Sequence, residues 1–205
     1  VTKIYLRDQG FFDVSGQGLE QQGEVTRDQE LNRELAGDQK KTDAPSQPTS
    51  TEKNKLKTLA RDLVLCSDAT LEVGDPTEQA LIVLANKLGF KQNKLSAKFP
   101  RRDEVPFNSA DKYMKVAVKN SGDQLVIVKG AAEQVLAMSD VSSKEAEEIA
   151  KINEQLSEQG LRVLALASKE VSEDKDLQEV GSFEFQGLIG MYDPPRKDVK
   201  QALET

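Results

Sequence analysis

The segment DKYMKVAVKNSGDQLVIVKG, residues 111–130, most limits what this chain can fold into. Met114, Val116 and Val118 alternate with neighbouring residues as they do in a half-buried strand, and NSGD then has the composition of a tight turn. The chain returns through residues 125–128, a run that is apolar on both faces and therefore typical of a strand inside a sheet. A hairpin joins antiparallel neighbours, so the sequence predicts an antiparallel sheet.

Further segments indicate the helices and strands that accompany this hairpin. The runs at 161–168 and 183–192 are apolar strands, and VTKIYL opens the chain as another. Helical spacing recurs at 55–69, 74–89 and 142–160. An antiparallel sheet with interspersed helices must be covered by them on one or both faces, which predicts an α+β fold.

The helix beginning near residue 75 has a well-marked start. Asp75 suits the N-cap, Pro76 the first helical position, and Glu78 the third position of a capping box. Gly89 is placed to end the helix in the left-handed conformation. Farther upstream, Cys66 continues the apolar spacing of its own helix and is expected to pack in the core.

Composition excludes several classes of function. The net charge is −7 and the pI about 4.9, which disfavours a nucleic-acid partner. The chain has no His and one Cys, so zinc sites, disulfides, His-based triads and Cys–His nucleophiles are excluded. No apolar run is long enough to span a bilayer.

The organisation along the chain predicts one domain with an insertion. The stretch from 36 to 55 is polar and contains two prolines, and we expect a flexible surface insertion over about 38–52. The sequence lacks a starting methionine, begins as if inside a strand and stops in what resembles the first turns of a helix. We therefore expect a fragment of a larger protein.

Known nucleotide motifs are missing. There is no G-x-x-x-x-G-K-[ST] loop and no G-x-G-x-x-G fingerprint, and VKGAAEQ has its lysine before the glycine. What remains is Phe107 with Lys112, Lys129 and Arg162 near strand ends. Taken singly, these indicate a core phenylalanine, an edge lysine, a turn lysine and an arginine that either snorkels or meets an anion. Together they suit a ligand with an aromatic ring and several negative charges, such as a nucleotide.

Six segments, each weak alone, occur together in an order that resembles a known domain. They are CSDATL, GDPTEQAL, VPFNSADKYMKVAV, VKGAAEQVL, GLRVLALAS and GLIGMYDPPR. The chain resembles the nucleotide-binding domain of P-type cation-transporting ATPases, most closely the calcium-pump branch. This resemblance implies a twisted antiparallel β-sheet flanked by α-helices over residues 1–205, cut at both hinge strands. The family's D-K-T-G-T motif is absent, so its phosphorylated aspartate is expected upstream.

The resemblance also assigns residues of the nucleotide site. Phe107 matches the adenine-stacking phenylalanine, and Lys112 and Lys129 match two lysines that line the pocket. Gly130 matches the glycine that lets the backbone approach the base and leaves room for the purine. One departure concerns Ala132, which stands where the family's K-G-A-P-E has proline.

Further positions carry over from the helix start and the hinge. Glu78, with Thr77 beside it, matches the acid that faces the adenosine, and Arg162 matches the arginine near the phosphates. Asp193 and Arg196 of DPPR match hinge positions. No catalytic residue and no metal ligand is expected in this chain. A second departure is Ser109, where many calcium pumps have a basic residue.

The resemblance implies an ATP-binding domain that delivers the γ-phosphate to an aspartate in an absent phosphorylation domain and so drives ion transport, with calcium as the expected ion. Its partners would be ATP and the phosphorylation, actuator and transmembrane domains of the same parent chain. Mg²⁺ would be held mainly by the phosphorylation domain. The expected setting is a monomeric cytoplasmic domain of an integral membrane protein, in the plasma membrane.

Two alternatives stay open at this point. A protein-interaction or regulatory domain could keep this fold and bind no nucleotide, and Ala132 and Ser109 favour that reading. The pocket residues argue against it. An independent small kinase or hydrolase is disfavoured, since neither a metal-binding acid cluster nor a phosphate loop is present.

Overall fold

The described part of the chain is organised around one eight-stranded antiparallel sheet. The structure is a computed structural model that describes residues 1–16, 20, 22–37 and 47–192. The strands are β1 Lys3–Leu6, β2 Gly10–Val14, β3 Val25–Arg27, β4 Arg101–Asn108, β5 Tyr113–Asn120, β6 Asp123–Gly130, β7 Leu161–Val171 and β8 Glu184–Tyr192. Their order across the sheet is β3-β2-β1-β8-β7-β6-β5-β4. The predicted α+β class with an antiparallel sheet is confirmed.

Helices cover both faces of this sheet. They are α1 Gln29–Ala36, α2 Ser50–Leu65, α3 Pro76–Lys87, α4 Gln92–Lys98, α5 Ala132–Ala137 and α6 Ser143–Glu158. Apolar side chains of α2, α3 and α4 form one core with one face of the strands. Those of α1, α5 and α6 form a second core on the opposite face. Cys66 is fully buried in the first core, as its spacing predicts.

The predicted hairpin is present as β5 and β6. The register runs from Tyr113↔Gly130 to Asn120↔Asp123, with Gly122 at φ 105° in the turn. As the apolar run at 125–128 indicates, β6 lies inside the sheet, between β5 and β7. The sequence analysis did not predict β4, which carries Phe107 and forms the sheet edge beside β5. Its residues RRDEVPFN are almost all exposed, so they lack the apolar alternation that marks a strand.

The last residues of the predicted flexible insertion belong to a helix. Residues 38–46 lie outside the described residues, but α2 begins at Ser50, inside the predicted 38–52 range. Thr49 and Glu52 form a capping box, and the buried Glu52 also pairs with Arg27 of β3. Thr49-x-x-Glu52 is a capping-box signature that the sequence analysis missed, whereas the contact with Arg27 is tertiary and leaves no such signature. The hinge positions Asp193 and Arg196 also lie outside the described residues.

Within the described ranges, no helix combines the length and the apolar character needed to cross a bilayer.

Candidate functional site

The candidate residues gather at one end of the sheet. In antiparallel strands, the end of one lies beside the start of the next. The candidate residues therefore lie at the same end of the sheet. They are Phe107 at the end of β4, Lys112 just before β5, Lys129 and Gly130 at the end of β6, and Arg162 at the start of β7. The first turn of α3 lies against this end of the sheet, because Glu78 contacts Lys129 and Thr77 contacts Arg162.

Lys129 and Glu78 form a buried ion pair. The Lys129 Nζ lies 2.7 Å from Glu78 Oε1, and the two side chains are 6% and 17% exposed. Lys129 also donates to Ser67 Oγ at 3.2 Å. The alternation of β6 points Lys129 into the face that α2 and α3 cover, so the turn-lysine reading is wrong.

Glu78 does not form the predicted capping box. Asp75 is the N-cap and accepts from the Thr77 backbone N–H at 2.8 Å, as expected. The second oxygen of Glu78 instead accepts the backbone N–H groups of Asp68 at 2.8 Å and Ala69 at 2.9 Å. The carboxylate therefore ties three separate parts of the chain together, since it joins α3, β6 and the loop after α2.

Arg101 supports the same loop, and the sequence analysis missed it. Its guanidinium donates to the Leu65 and Ser67 carbonyls at 3.1 and 3.0 Å. It also pairs with Asp68 at 2.5 Å and with Glu104 at 2.6 Å. A charged residue on an unpredicted edge strand gave no sequence signal of this role. Arg101 thereby anchors the loop whose amides hold Glu78.

Arg162 and Thr77 form a second direct contact. Arg162 is exposed, and its guanidinium donates to Thr77 Oγ1 at 2.7 Å. Nearby, partial burial acts to raise the pKa of Asp75, but hydrogen bonds from the side chain and backbone of Thr77 and from the Glu78 backbone, with the charge of Arg162, outweigh it and lower that pKa. The first turn of α3 thus lies between two cations, Arg162 and Lys129.

Phe107 is an exposed aromatic residue, with 61% of its surface accessible. The core reading of this residue is therefore wrong. It lies in the irregular part of β4, where the register steps between Val105 and Asn108. No described cation or aromatic ring stacks on it. Its ring is free to receive a flat partner.

Lys112 and Gly130 define the turn beside Phe107. Lys112 is left-handed at φ 56°, and its exposed ammonium pairs with Glu133 at 3.1 Å. Its carbonyl accepts the Ala131 N–H at 2.9 Å. A Cβ on Gly130 would lie 2.3 Å from that carbonyl oxygen and 2.6 Å from Tyr113 Cα. The close approach of β5 is thus sufficient reason for glycine here, whether or not a base lies nearby.

Cys66 lies beneath this site but offers no nucleophile. It is fully buried, and burial raises the pKa of its thiol to about 12 against the opposing charges of Lys129 and Arg101. The thiolate is the reactive form, so the group stays inert at neutral pH. No cluster of acids or other ligands suited to a metal occurs in residues 1–16, 20, 22–37 and 47–192.

The geometry of this edge favours binding over bond-making chemistry. It presents an exposed ring on Phe107 with ammonium and guanidinium groups on Lys112 and Arg162. Lys129 is already neutralised by Glu78. Concave regions of about 400 and 850 Å³ lie elsewhere on the surface and are lined by none of the described candidate residues. The candidate site itself presents an exposed aromatic side chain and two exposed cations.

Comparison with known proteins gives the family. A family model described as "P-type ATPase, cytoplasmic domain N" matches residues 55–198. The chain is 38% identical over 163 residues to "Cation-transporting ATPase pma1" of Synechocystis sp. The aligned region covers 69% of this chain and 18% of that protein. The chain is 35% identical over 159 residues to the mouse "Calcium-transporting ATPase type 2C member 1", with 69% and 16% covered. The Pongo abelii protein of the same name is 31% identical over 222 residues, with 100% and 21% covered.

The family model's range includes every described candidate residue, from Thr77 to Arg162. The chain spans about a fifth of the length of the curated relatives it matches. It belongs to the P-type cation-transporting ATPases, as a cytoplasmic N domain similar to those of calcium pumps.

Proposed function

We propose that this chain binds ATP at the sheet edge around Phe107 and delivers the γ-phosphate to an aspartate in the phosphorylation domain of its parent protein. The observation that carries the proposal is the 61% exposure of the Phe107 ring at the end of the sheet where Arg162 and Lys112 are exposed. An exposed aromatic stacks a base in a way that tolerates solvent, and nearby cations attract phosphates.

The contacts suggest a division of roles among the site residues. Phe107 would stack the adenine, and Arg162, held by Thr77, would meet the phosphates. Lys112 is exposed enough to exchange Glu133 for a ligand oxygen. The buried Lys129–Glu78 pair would shape the floor and present the Glu78 side of α3 to the adenosine. Gly130 keeps the β5 and β6 backbones close beneath it, which also leaves room for the base.

The parent protein is proposed to be an ATP-hydrolysing calcium pump. Its phosphorylation, actuator and transmembrane domains would be supplied by the rest of the chain. Mg²⁺ would be held mainly by the phosphorylation domain, because the described residues offer no acid cluster for it. This domain alone would be a monomer that binds ATP without hydrolysing it. Its place would be the cytoplasmic side of a membrane, the plasma membrane in our proposal.

Amide chemical shifts during an ATP titration test the location of the site. We expect changes at residues 105–113, 129–131 and 162. Phe107→Ala should weaken ATP binding about tenfold, because base stacking on an aromatic contributes roughly 1–3 kcal/mol. Its melting temperature should change little, since the ring is mostly exposed.

A control variant separates this site from the other basic surface of the domain. Lys94→Glu/Lys98→Glu removes two exposed lysines from the 400 Å³ concavity between α2 and α4. It should leave ATP binding unchanged apart from a small long-range effect. Equal losses in both variants, or no shift near Phe107, would contradict the proposed site.

The alternative is a nucleotide-independent interaction domain, which the exposed Phe107 also suits. Neither departure from the family pattern removes the local structure. Helix α5 still begins at Ala132 without a proline, and the turn that holds Ser109 still closes on β5 through the Lys112 N–H to Asn108 carbonyl bond of 2.7 Å. A chain that shows no shift with ATP but binds a protein through Phe107 would establish the alternative.

A further inference from the structure

We propose that the concavity between α2 and α4 binds an acidic peptide segment that carries an apolar or aromatic side chain. This cavity has a volume of about 400 Å³, within the range of roughly 300–1,000 Å³ that is typical of ligand pockets. Its walls are the exposed side of α2, the turn after α3 and the length of α4. It shares no residue with the proposed nucleotide site, so the two proposals fail independently.

The rim of this cavity is strongly basic. Its charged lining residues are Lys57, Arg61, Lys91, Lys94 and Lys98, and none of the described residues that line it is acidic. The Arg61 guanidinium forms an ion pair of 2.6 Å with Asp62, which is fully buried. None of the four lysines forms an ion pair with another described residue. Four unpaired lysines around one cavity, on a chain of net charge −7, are a local concentration of positive potential, and a concave wall of low dielectric strengthens it.

The interior of the cavity is apolar and aromatic. Leu95 and Phe99 form its floor and are 6% and 7% exposed, with the half-buried Phe90 beside them. The Arg61 guanidinium carbon and the Lys98 Nζ lie 5.5 and 5.2 Å from the centre of the Phe99 ring. These cation–π contacts place two like charges beside one aromatic ring that lines the pocket. The arrangement therefore offers an apolar hole surrounded by positive charge.

This combination selects the chemistry of the ligand. An inorganic anion would satisfy the rim and leave the apolar floor in water, whereas a neutral apolar ligand would leave the lysines unpaired. A peptide that flanks one large apolar side chain with Asp or Glu matches both parts. An anionic bilayer is the weaker fit, because a flat surface meets convex basic helices better than a recessed floor such as Leu95 and Phe99. Charge complementarity around a central apolar anchor is the usual design of a specific protein interface.

A fluorescein-labelled peptide of sequence Glu-Asp-Phe-Asp-Glu tests the proposal by fluorescence anisotropy, with amide shifts to locate the contact. We expect saturable binding, with shifts in residues 57–61 and 89–99. Two altered peptides, one with lysines in place of the acids and one with alanine in place of phenylalanine, should each bind more weakly. Failure to saturate below about 1 mM, the edge of specific association, would overturn the proposal.

Charge reversal at the rim gives the second test. Lys94→Glu/Lys98→Glu should weaken the peptide about tenfold or more, because close charge pairs across an interface carry measurable coupling. The matched control, Lys144→Glu/Lys151→Glu on α6, changes the net charge equally on the opposite face and should leave the affinity within about twofold, as screened distant charges do. Equal losses in both variants would show general charge attraction and overturn the proposal. Melting temperatures establish that each variant is folded.

A vesicle assay separates the peptide from a membrane surface. Vesicles that contain phosphatidylserine should bind no better than neutral vesicles. Sedimentation of the domain with the anionic vesicles alone, abolished by Lys94→Glu/Lys98→Glu, would assign the pocket to a lipid surface and refute the peptide. Peptide binding that persists when vesicles are absent supports our assignment.

Discussion

Glu78→Gln should destabilise the domain by far more than the same substitution at the surface. Lys129 and Glu78 are 6% and 17% exposed, and removing one member of a buried pair costs roughly 3–5 kcal/mol. Ser67 Oγ remains an acceptor for Lys129, so the lower end of that range, about 3 kcal/mol, is expected. For a domain of this size that corresponds to a fall in melting temperature of about 6–12 °C, at roughly 2–4 °C per kcal/mol.

A double-mutant cycle isolates the pair from other consequences of each change. Lys129→Met keeps most of the apolar part of the side chain and removes the buried charge that Glu78→Gln leaves without its ionic partner. The double variant should be less destabilised than the sum of the two single variants by about 2 kcal/mol, within the usual range for residues in contact. Urea unfolding followed by circular dichroism gives the four free energies of unfolding, those of the unaltered domain, the two single variants and the double variant.

Glu133→Gln is the matched control. Its partner Lys112 is 56% exposed and Glu133 is 64% exposed, so this pair should contribute less than about 0.5 kcal/mol. If Glu78→Gln lost no more stability than Glu133→Gln, or if the cycle were additive, the buried pair would not be holding α3 against β6. The measurement needs no nucleotide and is independent of the proposed function.

Three further outcomes are expected. ATP, ADP and AMP should bind with similar affinities with Mg²⁺ or with EDTA in calorimetry, and a hundredfold requirement for Mg²⁺ (~2.7 kcal/mol at ~1.36 kcal/mol per tenfold) would be inconsistent with the proposed contacts. Gly130→Ala should lower the melting temperature even without nucleotide, because its Cβ would lie 2.3 Å from the Lys112 carbonyl oxygen, whereas Gly181→Ala, with open space around it, should not. Cys66 should resist a maleimide at pH 8 until the domain is unfolded, since burial raises its pKa to about 12; rapid labelling of folded protein would refute this.

Local signals in the sequence predicted much of the fold because they depend on few neighbours. The β5–β6 hairpin, the Asp75 cap and the left-handed Gly89 each follow from residues within one turn or one strand pair. The early end of the insertion was missed although the capping-box spacing Thr49-x-x-Glu52 marks the start of α2; the contact of Arg27 from β3 with Glu52, by contrast, could not be predicted. Contacts between distant segments leave no mark in a single sequence.

The candidate site also combines features that local sequence predicts with features that depend on distant contacts. Glu78 has the spacing of a capping box, yet amides of residues 68 and 69 and the ammonium of Lys129 compete for its carboxylate and win it. Phe107 has the character of a core residue, and only its place on an exposed strand places its ring in solvent. The resemblance to a family supplied the candidate list, while burial and partners could come only from the structure. Whether those residues bind ATP remains a prediction.

The polarity that hid β4 from sequence analysis has a consequence for solubility. A terminal strand exposes unpaired amides and carbonyls that can template the strand of another molecule and begin aggregation. Here Arg101, Arg102, Asp103 and Glu104 line that strand, and two register shifts interrupt its regular pairing. The opposite border, β3, is only three residues long. Both borders of the sheet are therefore poor templates, and the domain should tolerate the millimolar concentrations that nucleotide titrations by NMR require.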